Sequence, residues 1–391
     1  MRDVYVIGIG ITSFTRLEYP LTEIACYPAM LAMKDCGLRT IEQVYVANMG
    51  GCRLNHQAGL ASAVVDNLGL CPAGAETIEN GPASGASAVK QAFLGVASGM
   101  YDVAMAIGAE RMREVNNLEA TEFVATLTHP MAEFLYGVTL PSLAGMFTRL
   151  YMDKYGVTSR HLAMVAKKNH DNALLNEFAH VREPITIEGI LDSPEASTNN
   201  PFVADPLRYY DCCPVSDGGA CLILASKEVA QKVKRPKVRL AGIGQATDTQ
   251  AVMEREEPTD LLAVRRAAAK SMEMAGVKPK DVNVAELHDA FTILEIVESE
   301  ECGFFKKGEG HKALEQGLTT LKGKLPINPS GGLKAKGHPV GATGVGQAHE
   351  IVHQLRGEAG KRQVAGAKVG FTCNFGGFGN NVVCMTFIRE D

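Results

Sequence analysis

The chain alternates short, almost wholly apolar runs with longer stretches in which apolar residues recur every three or four positions. These are the patterns of strands buried on both faces and of helices buried on one. Residues 3–11 form the first apolar run, and residues 22–36 keep the helical period up to Gly37, a natural stop. Residues 43–51 predict a second strand and residues 57–68 a helix with His56 at its start. A short strand over 75–80 leads into the turn Gly81-Pro82-Ala83-Ser84-Gly85, a helix over 86–98 and an apolar strand over 101–110. The order strand, glycine turn, helix, strand returns later: 325–328, a turn over 331–344, a helix to about 355, then a strand over 367–374. This repetition predicts two halves built alike, residues 1–235 and 236–391, each a layered α/β unit. Residues 112–203 break the texture, being rich in His, Asn, Met and aromatic residues with helical patterns over 143–155 and 159–172. So long an excursion reads as an inserted loop or cap region, a place where function concentrates. Sheet texture resumes through 217–225, followed by a charged helix and crossover over 227–237. A strand over 238–244, a helix over 260–275 and a strand over 282–287 complete the second half and run into His288-Asp289.

Composition narrows the class. At 391 residues the chain is long enough for two or three packed units. Hydrophobic residues at 46% and charged ones at 21% are those of an ordinary globular protein. The net charge of −5, with no basic face standing out, argues against nucleic acid as a partner. Ten cysteines lie dilute along the chain with no Cys-x2-Cys pair, and Cys212-Cys213 are adjacent, which is no metal spacing. No metal site is therefore expected, and a reducing, cytoplasmic setting fits. A strand that begins at once after Met1 leaves no room for a signal peptide, and no apolar run reaches the roughly 18 residues of a membrane span.

The most specific stretch is 328–344, which holds five glycines and two prolines around His338. Glycine permits positive φ and close backbone approach while proline fixes φ, so the stretch specifies an unusual, immobile course that feeds a helix N-terminus. A histidine there reads as a site residue. Gly8-x-Gly10 lacks the third glycine of a dinucleotide fingerprint and reads as a tight turn. His56 is open between a cap and a site residue.

Gly337-His338-Pro339-x-Gly341-Ala342-Thr343-Gly344, Glu286-Leu-His288-Asp-Ala-Phe291, the block from Tyr210 to Gly218, and Cys373-Asn-Phe-Gly-Gly-Phe-Gly379 occur in order. Together they resemble the thiolase superfamily over essentially the whole chain, most closely its sterol-carrier-protein-x-like branch. The resemblance implies a five-layered αβαβα fold with two similar halves and an inserted loop region, the site lying where the halves meet. It also implies His288 as a donor to the thioester oxygen, and His338 with Cys373 as an acid/base pair. Backbone N–H groups over Phe375, Gly376 and Gly377 would then form a second oxyanion site.

One part of the motif set departs. Thiolases begin a helix with Cys-x-Ser-Gly, and here the run is Pro82-Ala83-Ser84-Gly85, with Pro82 in the cysteine's slot. Proline offers no nucleophile. Cys71 lies upstream of the strand and too far away, while Ser84 and Ser87 read as caps, Ser84 remaining a possible site residue. What survives suits retro-aldol cleavage of an acyl-CoA through a thioester enolate, as in branch members that have lost the cysteine. Those members pair with a small zinc-ribbon and OB-fold protein, and the family is commonly dimeric, so a homodimer and such a partner are implied here. Coenzyme A enters as part of the substrate, with no covalently bound cofactor. The steroid side-chain aldolases of this kind often carry tyrosines where this chain keeps His288 and His338. Claisen-type acyl transfer with another nucleophile is thus a second reading, and a non-catalytic acyl-CoA or lipid-binding subunit a third. His129 and Glu133 are further site candidates. Met105, Met112, Phe123, Met131 and Phe134 fit either a pocket for a bulky apolar group or plain core.

Overall fold

The computed structural model describes residues 1–390. The chain opens with strand β1 (Val4–Ile11), helix α1 (Leu21–Cys36), β2 (Gln43–Ala47), α2 (Gly51–Leu54), α3 (Leu60–Asn67), β3 (Gly74–Ile78), α4 (Ser84–Ser98) and β4 (Val103–Glu110). Five helices follow: α5 (Asn117–Ala125), α6 (Leu140–Tyr155), α7 (Ser159–Ala173), α8 (Ile187–Leu191) and α9 (Ala196–Asn199). After a small hairpin of β5 (Phe202–Ala204) and β6 (Leu207–Arg208) come β7 (Gly218–Ser226) and α10 (Lys227–Ala230). The remainder is β8 (Val238–Thr247), α11 (Leu262–Ala275), β9 (Val284–Glu286), α12 (Thr292–Glu301), α13 (Gly310–Glu315), α14 (Val340–Arg356), β10 (Val369–Gly376) and β11 (Asn381–Arg389).

Nine strands join in one mixed sheet of order β3-β2-β4-β7-β1-β8-β11-β10-β9. Its wings read alike from the central antiparallel pair β1 and β8 outward. Each carries two further antiparallel neighbours, β7 then β4 on one side and β11 then β10 on the other. A parallel strand follows, β2 or β9. Beyond β2 lies the parallel β3, whereas β9 has only a single parallel bridge from Ala285 to Ile327.

Strand alternation sorts side chains into separate cores. Ala104 and Ala106 on β4 face a central core with α4 and α14, while Met105 and Ile107 face a second core with α1 and α3. On β11, Val383, Met385 and Phe387 face the central core, and Val382 and Cys384 face a third core with α11 and α12. Apart from the largely exposed edge strand β3, the strands of both wings are mostly buried on both faces, which is why they read as continuous apolar runs. The layers run helix, wing, helix, wing, helix: α1 and α3, the first wing, α4 and α14, the second wing, then α11 and α12. Helices α4 and α14 meet at the centre, α14 touching strands of both wings. A Cβ on Gly85 would stand 2.9 Å from the backbone nitrogens of Gly344 and Val345, so only glycine allows this approach.

Several boundaries differ from the sequence pattern for identifiable reasons. β2 stops at Ala47 because the Glu110 carboxylate accepts the backbone N–H groups of Met49 and Gly50 and bends the chain away. Helix α3 begins only at Leu60, after left-handed His56 (φ 54°) and Gly59 (φ 62°). Helix α4 begins two residues early, at Ser84. Residues 325–328 do not form a ladder strand, since Pro326 and Pro329 lack donors and Asn328 takes φ 56°. The crossover after β7 keeps only four helical residues. No described helix is long and apolar enough to cross a membrane.

Candidate active site

The turn that carries His338 is held by buried acids. Left-handed Gly331, Gly332 and Gly337 bracket a π-type turn over Gly332–Lys336. The Asp289 carboxylate accepts the Leu333 N–H (2.6 Å), and a Cβ on Gly332 would collide with it. Glu286 accepts the Ser330 N–H (3.1 Å) and hydroxyl (2.7 Å), and Glu295 joins Lys168 (2.9 Å) to the Asn328 amide (2.7 Å). At the end of this braced turn the His338 Nδ1 lies 2.7 Å from the Thr343 hydroxyl. That hydroxyl donates to the Pro339 carbonyl (3.0 Å), so it accepts from Nδ1–H and leaves Nε2 as a lone pair. Burial lowers the His338 pKa to about 3, which keeps the ring neutral at ordinary pH.

His288 follows β9 and has the complementary tautomer. Its Nδ1 accepts the Phe375 backbone N–H (3.3 Å) and the Asn374 side-chain amide (3.1 Å). A backbone N–H can only donate, so the proton of His288 sits on Nε2. Its backbone N–H donates to Glu298 (2.9 Å), and its ring stacks on Phe375 with centroids 5.1 Å apart and planes 5° apart. Burial, and then His338, push its pKa well below the usual imidazole value. The two imidazoles meet edge to face at 4.9 Å. One presents a donor and the other a base.

Both rings line a cleft of about 160 Å3 with Pro82, Phe375, Gly377 and Phe378. Its remaining wall comes from Met112, from α5, from the start of α6, from residues 212–215 and from the start of α12. Pro82 precedes α4, as His338 precedes α14. The Ser84 hydroxyl accepts the Asn80 N–H (2.8 Å) and donates to the Gly81 carbonyl (2.5 Å), closing the turn rather than facing the cleft.

Other sequence candidates lie elsewhere. Cys373 is fully buried beside Cys302, Cys384 and Glu298 and does not line the cleft, because its place on β10 turns it into the core under α12. Gly376 is absent from the cleft wall, and the Phe375 N–H is already given to His288. His56 lies exposed, far from a cap role by its left-handed backbone. His129 accepts the Ala132 N–H (3.0 Å) and closes its own turn, while Glu133 accepts the N–H groups of His129 (2.7 Å) and Val252 (2.9 Å). Met105 and Phe123 are core, Met131 is 66% exposed and Phe134 is 37% exposed, so only Met112 of the proposed apolar set reaches the cleft.

Sequence reasoning overlooked Thr343, Asn374 and Glu298 as partners of the histidines, and Cys212 and Cys213 as cleft wall. Thr343 and Asn374 stand inside the motifs that carry His338 and Cys373, which was the available signal. Burial pushes the Cys213 thiol up to about 12 and raises that of Cys212 as well, so both stay protonated.

Comparison with known proteins agrees with this architecture. Residues 17–228 match the thiolase N-terminal domain and residues 244–389 the thiolase C-terminal domain-like family. Acetyl-CoA acetyltransferase of Methanothermobacter thermautotrophicus is 40% identical over 392 residues, covering 100% of both chains. Sterol carrier protein 2 of Homo sapiens is 32% identical, covering 98% of this chain and 72% of that one. The solved Ltp2-ChsH2(DUF35) aldolase shares the fold with a TM-score of 0.82 at 24% identity, covering 100% of this chain and 99% of that one. The matched domains take in both wings of the sheet, and the chain belongs to the thiolase superfamily, with sterol carrier protein 2 among its relatives.

Proposed function

We propose that the protein cleaves or forms a carbon–carbon bond beside a CoA thioester by enolate chemistry, with no covalent acyl-enzyme. The observation that carries this reading is the pair of neutral imidazoles of opposite tautomer in an apolar cleft, with Pro82 where a nucleophile would stand. In the cleavage direction His338 Nε2 takes the proton of the substrate's β-hydroxyl. The Cα–Cβ bond breaks, its electron pair passes into the thioester as an enolate, and the β-carbon leaves as a carbonyl. His288 Nε2–H donates to the enolate oxygen, where negative charge develops. The proton held by His338 then returns to Cα, giving a shortened acyl-CoA. Cys373 has no part in these steps, because its thiol does not reach the cleft wall.

The test is incubation with a 3-hydroxyacyl-CoA in the absence of free CoA, following carbonyl product and shortened acyl-CoA together, with intact-protein mass spectrometry alongside. Cleavage without any protein adduct is the expected result. A stable acyl adduct on the native chain would overturn it.

Acyl transfer is the second reading, favoured by the 40% identity to a protein named acetyl-CoA acetyltransferase. Cys212 and Cys213 are the thiols in the cleft wall, and burial keeps both protonated, contrary to what a nucleophile needs. Transfer would then run by direct attack of the CoA sulfur on the 3-keto carbon of a 3-ketoacyl-CoA, the thiol proton going to His338 Nε2. The Cα–Cβ bond breaks as the new C–S bond forms, its electron pair leaves as the enolate of the shorter thioester, and the proton on His338 returns to Cα, giving two acyl-CoA products. Strict dependence of cleavage on added CoA separates this route from the first. A homodimer and a small zinc-ribbon and OB-fold partner are part of the same proposal. Support comes from the name of the Ltp2-ChsH2(DUF35) aldolase, which couples two components. Light scattering of the chain alone and co-expressed with such a protein tests both.

A further inference from the structure

We infer that the outer face of α1 is a contact between two copies of this chain, each α1 packing antiparallel on the other across a twofold axis. Four residues of α1 are exposed, Glu23, Tyr27, Met30 and Lys34, spaced four, three and four apart. That spacing makes one seam along a single helix face. Tyr27 is 53% exposed and Met30 52%, while Ile24, Ala25, Ala29 and Ala32 on the inner face pack into the core beneath β1 and β7. Helix α11, the outer helix of the other wing, shows what a solvated face looks like. Between Leu262 and Met274 near its ends it exposes Arg265, Arg266, Ala269, Lys270 and Glu273. A seam with two large apolar side chains at its middle is a packing surface that nothing else in the chain covers.

The order of residues along the seam selects its occupant. Glu23 and Lys34 stand equally far from a point between Pro28 and Ala29, and so do Tyr27 and Met30. A second α1 laid antiparallel about that point is complementary to the first: Tyr27 of one copy meets Met30 of the other, Glu23 meets Lys34, and each pair occurs twice. A parallel, in-register pair would set like charges together instead. Among the described residues neither Glu23 nor Lys34 forms an ion pair, and Asp35, the acid beside Lys34, is taken by Arg235 (2.5 Å) and Arg356 (2.7 Å). Both charges are thus free to pair across the axis, where they fix direction and register while the apolar centre supplies the burial. Next to the seam lies a cavity of about 530 Å3, lined by Leu17, Tyr19, Tyr27, Met30 and Phe178. It lets side chains of the second copy enter as a ridge enters a groove, which widens the contact beyond one stripe. The inference goes beyond the homodimer proposed above by naming a surface through which copies associate, and it is independent of the chemistry in the cleft.

Sedimentation velocity on the full chain over a concentration series, in low salt, is the test. The native chain is expected to self-associate, and Met30→Glu, at an exposed position where folding is not at stake, to weaken that association at least about tenfold. Glu23→Lys and Lys34→Glu each set like charges together twice and are expected to weaken it by about tenfold as well. The double variant Glu23→Lys/Lys34→Glu exchanges the charges and is expected to restore association to within about threefold of the native value. Association untouched by Met30→Glu would overturn the inference and leave the proposed homodimer standing on another surface. Association broken by Met30→Glu but indifferent to either single reversal would overturn the antiparallel pairing. A chain that stays monomeric at every concentration would overturn the inference and the homodimer together, with the proposed chemistry unaffected.

Discussion

The turns that open the two central helices are built to one plan and equipped differently. Before α4 the chain passes Gly81 (φ 54°), Pro82 and Ala83; before α14 it passes Gly337 (φ 112°), His338 and Pro339. In each, a hydroxyl from the start of the helix ties the turn: Ser84 to the Gly81 carbonyl, Thr343 to the Pro339 carbonyl. Both turns deliver a side chain to the same cleft, one an inert ring and the other a neutral base. The scaffold that presents a group is thus separable from the group presented. Close packing of Gly85 on Gly344 maintains the first turn whatever its side chain does, because the helix pair must meet there to fill the central core.

The sharpest way to break the comparison is to make the second turn as inert as the first. His338→Ala removes the base, and turnover is expected to fall roughly 10²- to 10⁴-fold with binding of the thioester little changed. Full activity of that variant in an assembled complex would instead favour a scaffolding role. His288→Ala removes the donor to the enolate oxygen, and a loss of about 10²- to 10³-fold in kcat is expected in the same assay. The converse experiment equips the first turn. Pro82→Cys places a thiol before α4, and intact mass after exposure to an acyl-CoA is expected to show an adduct absent from the native protein. An unmodified variant would mean that the turn no longer presents its side chain to substrate.

Smaller effects sharpen how the histidines are held. Glu298 is a positioning residue, its buried carboxyl accepting the His288 N–H while burial raises its pKa. Glu298→Ala is expected to cost about tenfold in kcat with KM unchanged, and Glu298→Gln, which keeps an acceptor, to restore most of it. A general loss of stability without that split would make the residue merely structural.

The smallest expected effect is that of pH on catalysis. With His338 lowered to about 3 and His288 also lowered, protonation of these imidazoles takes no toll on kcat between pH 8 and 5. A fall of activity with a midpoint near 6.5 would contradict the buried, neutral pair. Stability carries the opposite signature. The unfolded chain takes up protons near pH 6.5 that the native rings refuse, so stability is lost as pH falls from there toward 3. Thermal melts across that range check the sign.

Much of this is legible in the sequence. Continuous apolar runs announced strands buried on both faces, and Gly37, Gly99 and Gly276 do end helices in left-handed conformations. His288 and His338 announced themselves by their motifs, and the structure brings them together. Cys373 misled because it shares the face of β10 that carries Phe375 to the cleft but lies two residues back from it, where it packs beside Cys302, Cys384 and Glu298 instead of reaching the wall. Cys212 and Cys213, which offer no metal spacing in the sequence, reach the cleft wall because the chain around them folds against Ala290, whose carbonyl accepts the Cys213 N–H (2.9 Å).

By itself the sequence determined the layered α/β architecture, the glycine turns that feed α4 and α14, the two histidines and the proline before α4. These follow from local pattern and residue chemistry. Tertiary structure alone decided which tautomer each histidine holds, which cysteines line the cleft, and that no charge enters it. Those properties belong to residues far apart in the chain that folding brings together: Phe375 hydrogen-bonded to His288, and Pro82, His338, α5 and α12 around one cleft. A hydrogen bond or a buried wall exists only once both partners have been placed, and no single stretch of sequence places both.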